Sequence, residues 1–279
     1  MINDTINNDV TIAGGGRTML AGRYRIVKQF GAGGKVLGAL ALLAAVAAGA
    51  WWVGRTGGVS DQAERASSGP RLSIRDAGHE GVQLWEGGPY WATTNIGAEK
   101  PEDSGLYFWW GDIVGYRPSS DGEFSFNFFT NNATIFTYGK SESELKSSGW
   151  LTSGGVLSPS HDAAHVKWGG NWRMPTKQEL DDLVRNCDWK WTTQNGVNGY
   201  VVRGKGTYAA DSIFLPCTYC GGGTSLIYSS SYGYYWSSVP YSSEIYSSCL
   251  FFCSSGHNSN SCNYRSGGQS VRPVQGSTN

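Results

Sequence analysis

Hydrophobic periodicity of the helical kind is scarce along this chain, and it is clearest after Pro175-Thr176. There Leu180, Leu183, Val184 and Cys187 fall on one helical face. Thr176 can cap the first turn, and Glu179, three residues later, completes a capping box. The pattern predicts a helix with Cys187 as a core thiol. Elsewhere the apolar runs are short and broken by turn residues. Val82-Gln-Leu-Trp85 reads as a short strand and Pro89 to Gly97 as a second extended segment. Asn195-Gly196 and Asn198-Gly199 punctuate hairpins leading into Tyr200-Val-Val-Arg203. Ser212-Ile-Phe-Leu-Pro216 carries a continuous apolar run after Ser212, the mark of a buried strand. In Cys249-Leu-Phe-Phe-Cys253, strand alternation sends Leu250 and Phe252 to the core and leaves Cys249, Phe251 and Cys253 on the outer face. Residues 101–112 add turn chemistry and an aromatic run, and residues 117–160 read as a polar insertion.

One apolar run is different in kind. Residues 36–53 are 18 consecutive uncharged, mainly apolar positions ending in Trp51-Trp52-Val53, just long enough to cross a bilayer as a helix with aromatic rings at its far interface. Before it, Arg17, Arg23, Arg25, Lys28 and Lys35 stand against Asp4 and Asp9, five basic residues to two acidic. That excess places the N-terminus in the cytoplasm and everything after Arg55 outside it. A buried core helix fits less well, because the run has no polar face. A cleaved signal peptide remains open, since Ala48-Gly49-Ala50 suits a small-residue cleavage site, although 35 residues precede the run.

Charge then bounds the rest. Formal net charge over the 279 residues is zero, with 16 basic and 20 acidic residues from Thr56 onward and no basic stripe among them. Nucleic acid is therefore not an expected partner. The reading divides the chain into a basic cytoplasmic stub (1–35), a transmembrane helix (36–53), a Gly/Ser-rich flexible linker (54–81), a folded domain (82–275) and a short tail (276–279). Within the stub, Leu20 to Gly34 resembles the first strand and glycine-rich turn of bacterial serine/threonine protein kinases, with Gly31, Gly33 and Gly34 at the turn. The likeness stops there. The ATP-positioning Lys strand and the His-Arg-Asp and Asp-Phe-Gly motifs do not follow, so the stub is expected to be a vestige without kinase activity.

The most informative tract of the domain is 241–266. Its 26 residues include nine Ser, three Tyr, three Cys, three Asn, two Phe and one His, with no Lys, Thr, Met, Gln, Trp or Pro. Neither a surface nor a core is ordinarily built this way. Ser, Asn and Tyr are the residues of adaptable binding loops. Changing only the adenines of an Asn codon reaches Ser, Tyr, Cys, Phe, His, Ile, Leu, Gly and Arg, among others. Every residue of the tract except Glu244 is Asn or belongs to that set. The plain alternative is a low-complexity, solubilising Ser-rich loop.

Trp168-Gly-Gly-Asn-Trp-Arg-Met-Pro-Thr176, Trp191 to Tyr200, Ile213-Phe-Leu-Pro216, Gly233-Tyr-Tyr-Trp-Ser-Ser238 and Ser270-Val-Arg-Pro-Val274 look, in that order, like the Fibrobacter succinogenes major paralogous domain family, and Tyr90 to Ala98 extends the match upstream. That family is similar to the C-type-lectin-like fold of formylglycine-generating enzymes. The resemblance implies an α+β domain with a small twisted antiparallel sheet and two helices, preceded here by one transmembrane helix. It also implies a target of diversity-generating retroelements, in which template adenines are randomised into the end of the gene. On this reading the ligand contacts are Tyr241, Ser243, Tyr246, Ser248, Cys249, Phe251, Cys253, His257, Asn258, Asn260, Ser261, Cys262, Asn263, Tyr264 and Ser266. Gly233 to Trp236 and Arg272-Pro273 are scaffold, with Trp236 beneath the variable loops.

Catalytic patterns are missing. His79, His161, His165 and His257 have no metal-ligand spacing, and there is no Gly-x-Ser-x-Gly elbow. Cys217-x-x-Cys220 with Cys249-x-x-x-Cys253 could be drawn as a zinc site, but an exported domain favours disulfides or free thiols. No cysteine matches the copper-binding pair of formylglycine-generating enzymes, and the calcium and sugar motifs of C-type lectins are absent. The expectation is a surface-displayed, non-catalytic receptor or adhesin without cofactor, binding a protein or other macromolecule. The alternative is an exported enzyme or structural envelope domain with a fixed Ser-rich loop.

Overall fold

Strand β3 (Ser73–Asp76) turns back into β4 (His79–Gln83) through Ala77-Gly78, both at positive φ (48° and 85°), the backbone that a two-residue hairpin requires. The computed structural model describes residues 17–20, 23–26 and 73–276, apart from 131, 219 and 228–230. Residues 73–81, expected as linker, are thus strand β3 and the start of β4. The expected transmembrane segment 36–53, the glycine turn of the stub and most of the expected linker lie outside the described residues. Of the stub, β1 (Arg17–Leu20) and β2 (Arg23–Ile26) form an antiparallel hairpin within a separate unit, residues 1–67.

In the folded domain, β4 pairs with β5 (Tyr90–Ala92), and β5 with β14 (Val274–Gln275), so Val274 opposite Trp91 ties the end of the domain to its beginning. Strand β6 (Glu123–Phe128) pairs with β10 (Cys220–Ile227). Strands β7 (Asp188–Gln194), β8 (Val197–Arg203) and β9 (Ser212–Pro216) form a meander whose first turn is Asn195-Gly196, at φ 48° and 84°. Asn198-Gly199 sits inside β8 and turns nothing. The last sheet is β11 (Tyr232–Pro240), β12 (Tyr246–Cys253) and β13 (Gly256–Tyr264), antiparallel throughout.

The helices are few and short: α1 (Glu142–Ser147), α2 (Ala163–Trp168) and α3 (Lys177–Asn186). Helix α3 is the one legible in the sequence. Thr176 accepts from the Glu179 backbone N–H, Glu179 reaches back to the cap, and Leu180, Leu183 and Cys187 are buried. Glu179 also holds Arg173 through two hydrogen bonds of 2.6 and 2.7 Å.

The expected α+β, C-type-lectin-like domain with two helices is corrected by this architecture, whereas the membrane-spanning helix expected before it falls outside the described residues. The described residues are mostly antiparallel strands in several small sheets, with 16% in helix. Among the described residues no helix is long and apolar enough to cross a membrane. The physical reason is visible in the chain. Turn residues interrupt nearly every apolar run before a helix could repay its nucleation cost.

Two main apolar clusters hold the sheets together. The first joins Leu84, Trp91, Leu180, Leu183, Val202, Ile213, Leu215, Tyr235, Leu250 and Phe252. The second joins Phe108, Trp110, Leu145, Met174, Trp236, Cys249 and Val271. Buried indoles need partners for their N–H groups. Trp110 donates to the Ser237 carbonyl (2.9 Å) and Trp236 to the Phe108 carbonyl (2.8 Å), a reciprocal staple between β11 and residues 108–110. At Gly233 a side chain is excluded, because a Cβ would stand 2.1 Å from the Phe252 ring.

Asp112 carries a cost. It is 3% exposed and accepts from the Val114 and Gly115 N–H groups, both at 2.9 Å. Burial pushes its carboxyl up to about 6 despite those bonds. The folded chain therefore keeps a proton that the unfolded chain releases near pH 4. The contribution of Asp112 to stability is greatest below that value and falls as pH rises to about 6, by on the order of 2–3 kcal/mol. Asp162 shifts in the same direction, so the comparison must be differential. Urea midpoints of Asp112→Asn, measured from pH 4 to 7, are expected to fall less steeply than those of the parent; parallel curves would refute the assignment.

Candidate functional site

The tract singled out by composition is one element of structure: the loop 241–245 and the β12–β13 hairpin. Tyr246 stands opposite Tyr264, Ser248 opposite Cys262, Cys249 opposite Ser261 and Phe252 opposite His257. The register slips between Cys249 and Phe251, where Asn258 accepts from the Asn260 N–H at 2.8 Å.

The strand alternation holds for Leu250 and Phe252, both in the first core cluster. It misleads for Cys249, which is fully buried in the second cluster beside Trp236. Ser248, Ser261, Asn263 and Ser266, also expected as ligand contacts, are buried as well. A sequence pattern of alternation presumes that one sheet face meets water. Here both faces are covered. The first core and α3 lie on one side. On the other, Asn263 donates to the Cys220 sulfur (3.6 Å) and Trp236 packs with Cys249 and Val271. Gln269 stands beside the Cys249 thiol, and neither of its buried amide atoms meets a partner at hydrogen-bond distance. Those buried tract positions belong to the scaffold together with Trp236 and Arg272.

The remaining expected contacts are accessible, and they fall into two groups at opposite ends of the hairpin. With eight residues in β12, the ends are roughly 23 Å apart. At the base stand Tyr241, Ser243, Tyr246 and Tyr264, and at the tip Phe251, Cys253, His257 and Asn258. Asn260 and Cys262 lie between the two along β13.

At the base, the Tyr246 and Tyr264 rings are 4.5 Å apart, 42° from parallel. Burial, then the Tyr264 phenol, holds Tyr246 far above the usual phenol range. The loop is pinned from below by Arg265. Its guanidinium donates to the carbonyls of Tyr246 (3.0 Å), Thr137 (2.6 Å), Lys140 (2.8 Å) and Ser243 (3.5 Å) and to the Ser247 hydroxyl (3.2 Å), 4.9 Å from the centre of the Trp110 ring. The Gly139 N–H donates to the Glu244 carbonyl at 3.0 Å, which joins the 137–140 turn to this end.

At the tip, His257 stacks on Trp189, with centroids 4.3 Å apart and planes 12° from parallel. Its buried Nδ1 has no partner, and burial lowers its proton affinity. The Tyr200 hydroxyl donates to the Cys253 carbonyl (3.1 Å), and Tyr232 stacks on Phe251 (5.8 Å). Residues outside the tract thus complete both ends: Tyr138 and Phe129 at the base, Trp189 and Tyr232 at the tip. Sequence reasoning missed all four. Residues 117–160 carried no signal beyond polarity, and Trp189 gave none beyond being aromatic.

All six cysteines are free thiols. Burial raises Cys187, Cys217 and Cys249 to about 12, so they are inert as nucleophiles at neutral pH. Among the described residues no three His, Cys, Asp or Glu side chains are placed to hold a metal ion. His161 stacks on Trp150 and shares its Nδ1 with Ser158 and Ser160, both at 3.0 Å. No family model, curated protein or solved structure matches the chain.

Proposed function

We propose that this chain is a non-catalytic, displayed binding protein whose specificity is set by the accessible positions of 241–266, diversified by adenine-directed mutagenesis as in retroelement variable proteins. The single observation that carries the reading is the coincidence of two independent boundaries. The tract that stands out by codon is also one hairpin whose ends present Tyr, Ser, His and Asn side chains to solvent. Tyr supplies contact area at low entropic cost, and Ser and Asn adapt their hydrogen bonds. The apolar run 36–53 and the basic residues before it are the grounds for placing the domain outside the cytoplasm. The partner is a protein or another macromolecule.

The rival reading, a fixed Ser-rich structural hairpin, draws on the burial of Ser248, Cys249, Ser261, Asn263 and Ser266. Sequencing the gene in sibling genomes separates the two. Diversification predicts substitutions concentrated at 241, 243, 246, 251, 253, 257, 258, 260, 262 and 264, with a template repeat and a reverse transcriptase nearby. Identical codons throughout would leave only the structural hairpin. In the protein itself, exchanging the accessible residues for another such set should change the partner while the melting temperature moves by less than about 3 °C.

A further inference from the structure

We propose that the base of the hairpin is a docking surface for a cationic protein segment, an Arg- or Lys-bearing loop, received by Glu244 among the phenols of Tyr138, Tyr241, Tyr246 and Tyr264. The inference rests on the reading of the tract as a binding face and adds the chemistry of its partner. These groups converge through the backbone. The Tyr241 N–H donates to the Tyr246 carbonyl (3.2 Å), Tyr246 pairs with Tyr264, and the turn bearing Tyr138 is bonded to Glu244 through Gly139. Tyr138, Tyr246 and Tyr264 are half-buried, and burial first, then neighbouring phenols, raises the proton affinity of Tyr138 and Tyr246. They remain neutral rings with electron-rich faces. Tyr241 is 36% exposed and Phe136, on the adjoining turn, 43%.

The charges around them are spoken for, with one exception. Lys140 pairs with Glu144 at 3.3 Å and Lys146 with Glu142 at 2.7 Å. The N–H groups of Arg265 face inward to four carbonyls and a hydroxyl. Its positive charge is felt at Glu244 but reaches it through no ion pair. Glu244 itself is exposed and makes no ion pair among the described residues. An exposed carboxylate on the loop that joins Tyr241 to Tyr246, at the same end of the hairpin as Tyr138 and Tyr264, attracts a cation by its charge, and the ring faces nearby add to that attraction. Glu244 is also the one residue of the tract that adenine changes in an Asn codon cannot produce. On the diversification reading it is constant, a fixed charge within a sampled aromatic surround.

The test selects binders from a random linear-peptide display library on the full chain, on Glu244→Gln and on Tyr246→Ser. Arg and Lys are expected to be enriched about threefold among peptides recovered on the parent relative to those from Glu244→Gln. Individual parent-selected peptides should lose about fivefold in affinity for Glu244→Gln. Because Glu244 is exposed, melting temperature should be unchanged in that variant. Peptides that depend on Tyr246 yet show no cationic enrichment, or that bind Glu244→Gln equally well, overturn this inference and leave the binding face standing. Recovery of no peptide that depends on either residue overturns it as well. Invariant codons at the accessible positions in sibling genomes would instead sink the diversification reading, independently of this result.

Discussion

Replacing Arg265 with serine lowers the melting temperature by about 10 °C, although serine is the commonest residue of the surrounding tract. The guanidinium satisfies the carbonyls of Thr137, Lys140, Ser243 and Tyr246 at once, in a site where water does not reach. Its removal leaves buried acceptors unpaired, at roughly 1–3 kcal/mol for each that water cannot rescue, and forfeits the contact with the Trp110 ring. A total of about 3–5 kcal/mol follows. Arg265→Lys keeps the charge but loses the planar fork, and recovers only part of it. By contrast Asn258→Ser and Tyr241→Ser, at exposed positions, are expected within about 0.5 kcal/mol of the parent. Calorimetric scans of the four variants decide the matter. An Arg265→Ser chain melting within 2 °C of the parent, taken as roughly the error of about 1 kcal/mol, would show that these bonds do not hold the base.

The second large effect is expected at Arg272→Met. Arg272 is fully buried without a carboxylate partner, and burial lowers it to about 10, so it stays charged at neutral pH. It donates to Asn95 Oδ1 (2.8 Å), the Ala92 carbonyl (3.0 Å) and the Phe214 carbonyl (2.9 Å). One side chain therefore joins β5, the loop after it and β9. Methionine fills the volume but strands three acceptors, for a loss of about 3–5 kcal/mol in urea unfolding at unchanged m. A loss below about 1 kcal/mol would mean that the loop carrying Asn95 relaxes to pair these groups elsewhere.

What was legible beforehand follows from how local each cause is. Helix α3 was legible because Thr176, Glu179 and the Leu180-Leu183 stripe act within a few residues of one another. The Asn195-Gly196 turn was legible for the same reason, since both residues tolerate positive φ. The hairpin's composition marked it out, and its alternation placed Leu250 and Phe252. Cys249 could not be placed, because its burial is decided by Trp236 and Val271, which alternation within one strand does not see. Residues 73–81 looked like tether because their strands are short and half-exposed, and only pairing with β5 makes them sheet. The α+β balance implied by the motif resemblance failed because the described residues are mostly antiparallel strands, with 16% in helix.

The distance between the two ends of the hairpin has an evolutionary consequence. Asn258 stands opposite Phe251, about 17 Å along the hairpin from Tyr246, and substitutions that far apart contribute to binding additively. A variant improved at Asn258 keeps that gain when Tyr241 or Tyr246 changes next. Selection can then climb at one end without descending at the other. The rigid middle of the hairpin, with Cys249, Leu250 and Phe252 locked in two cores, is what keeps the two searches from interfering.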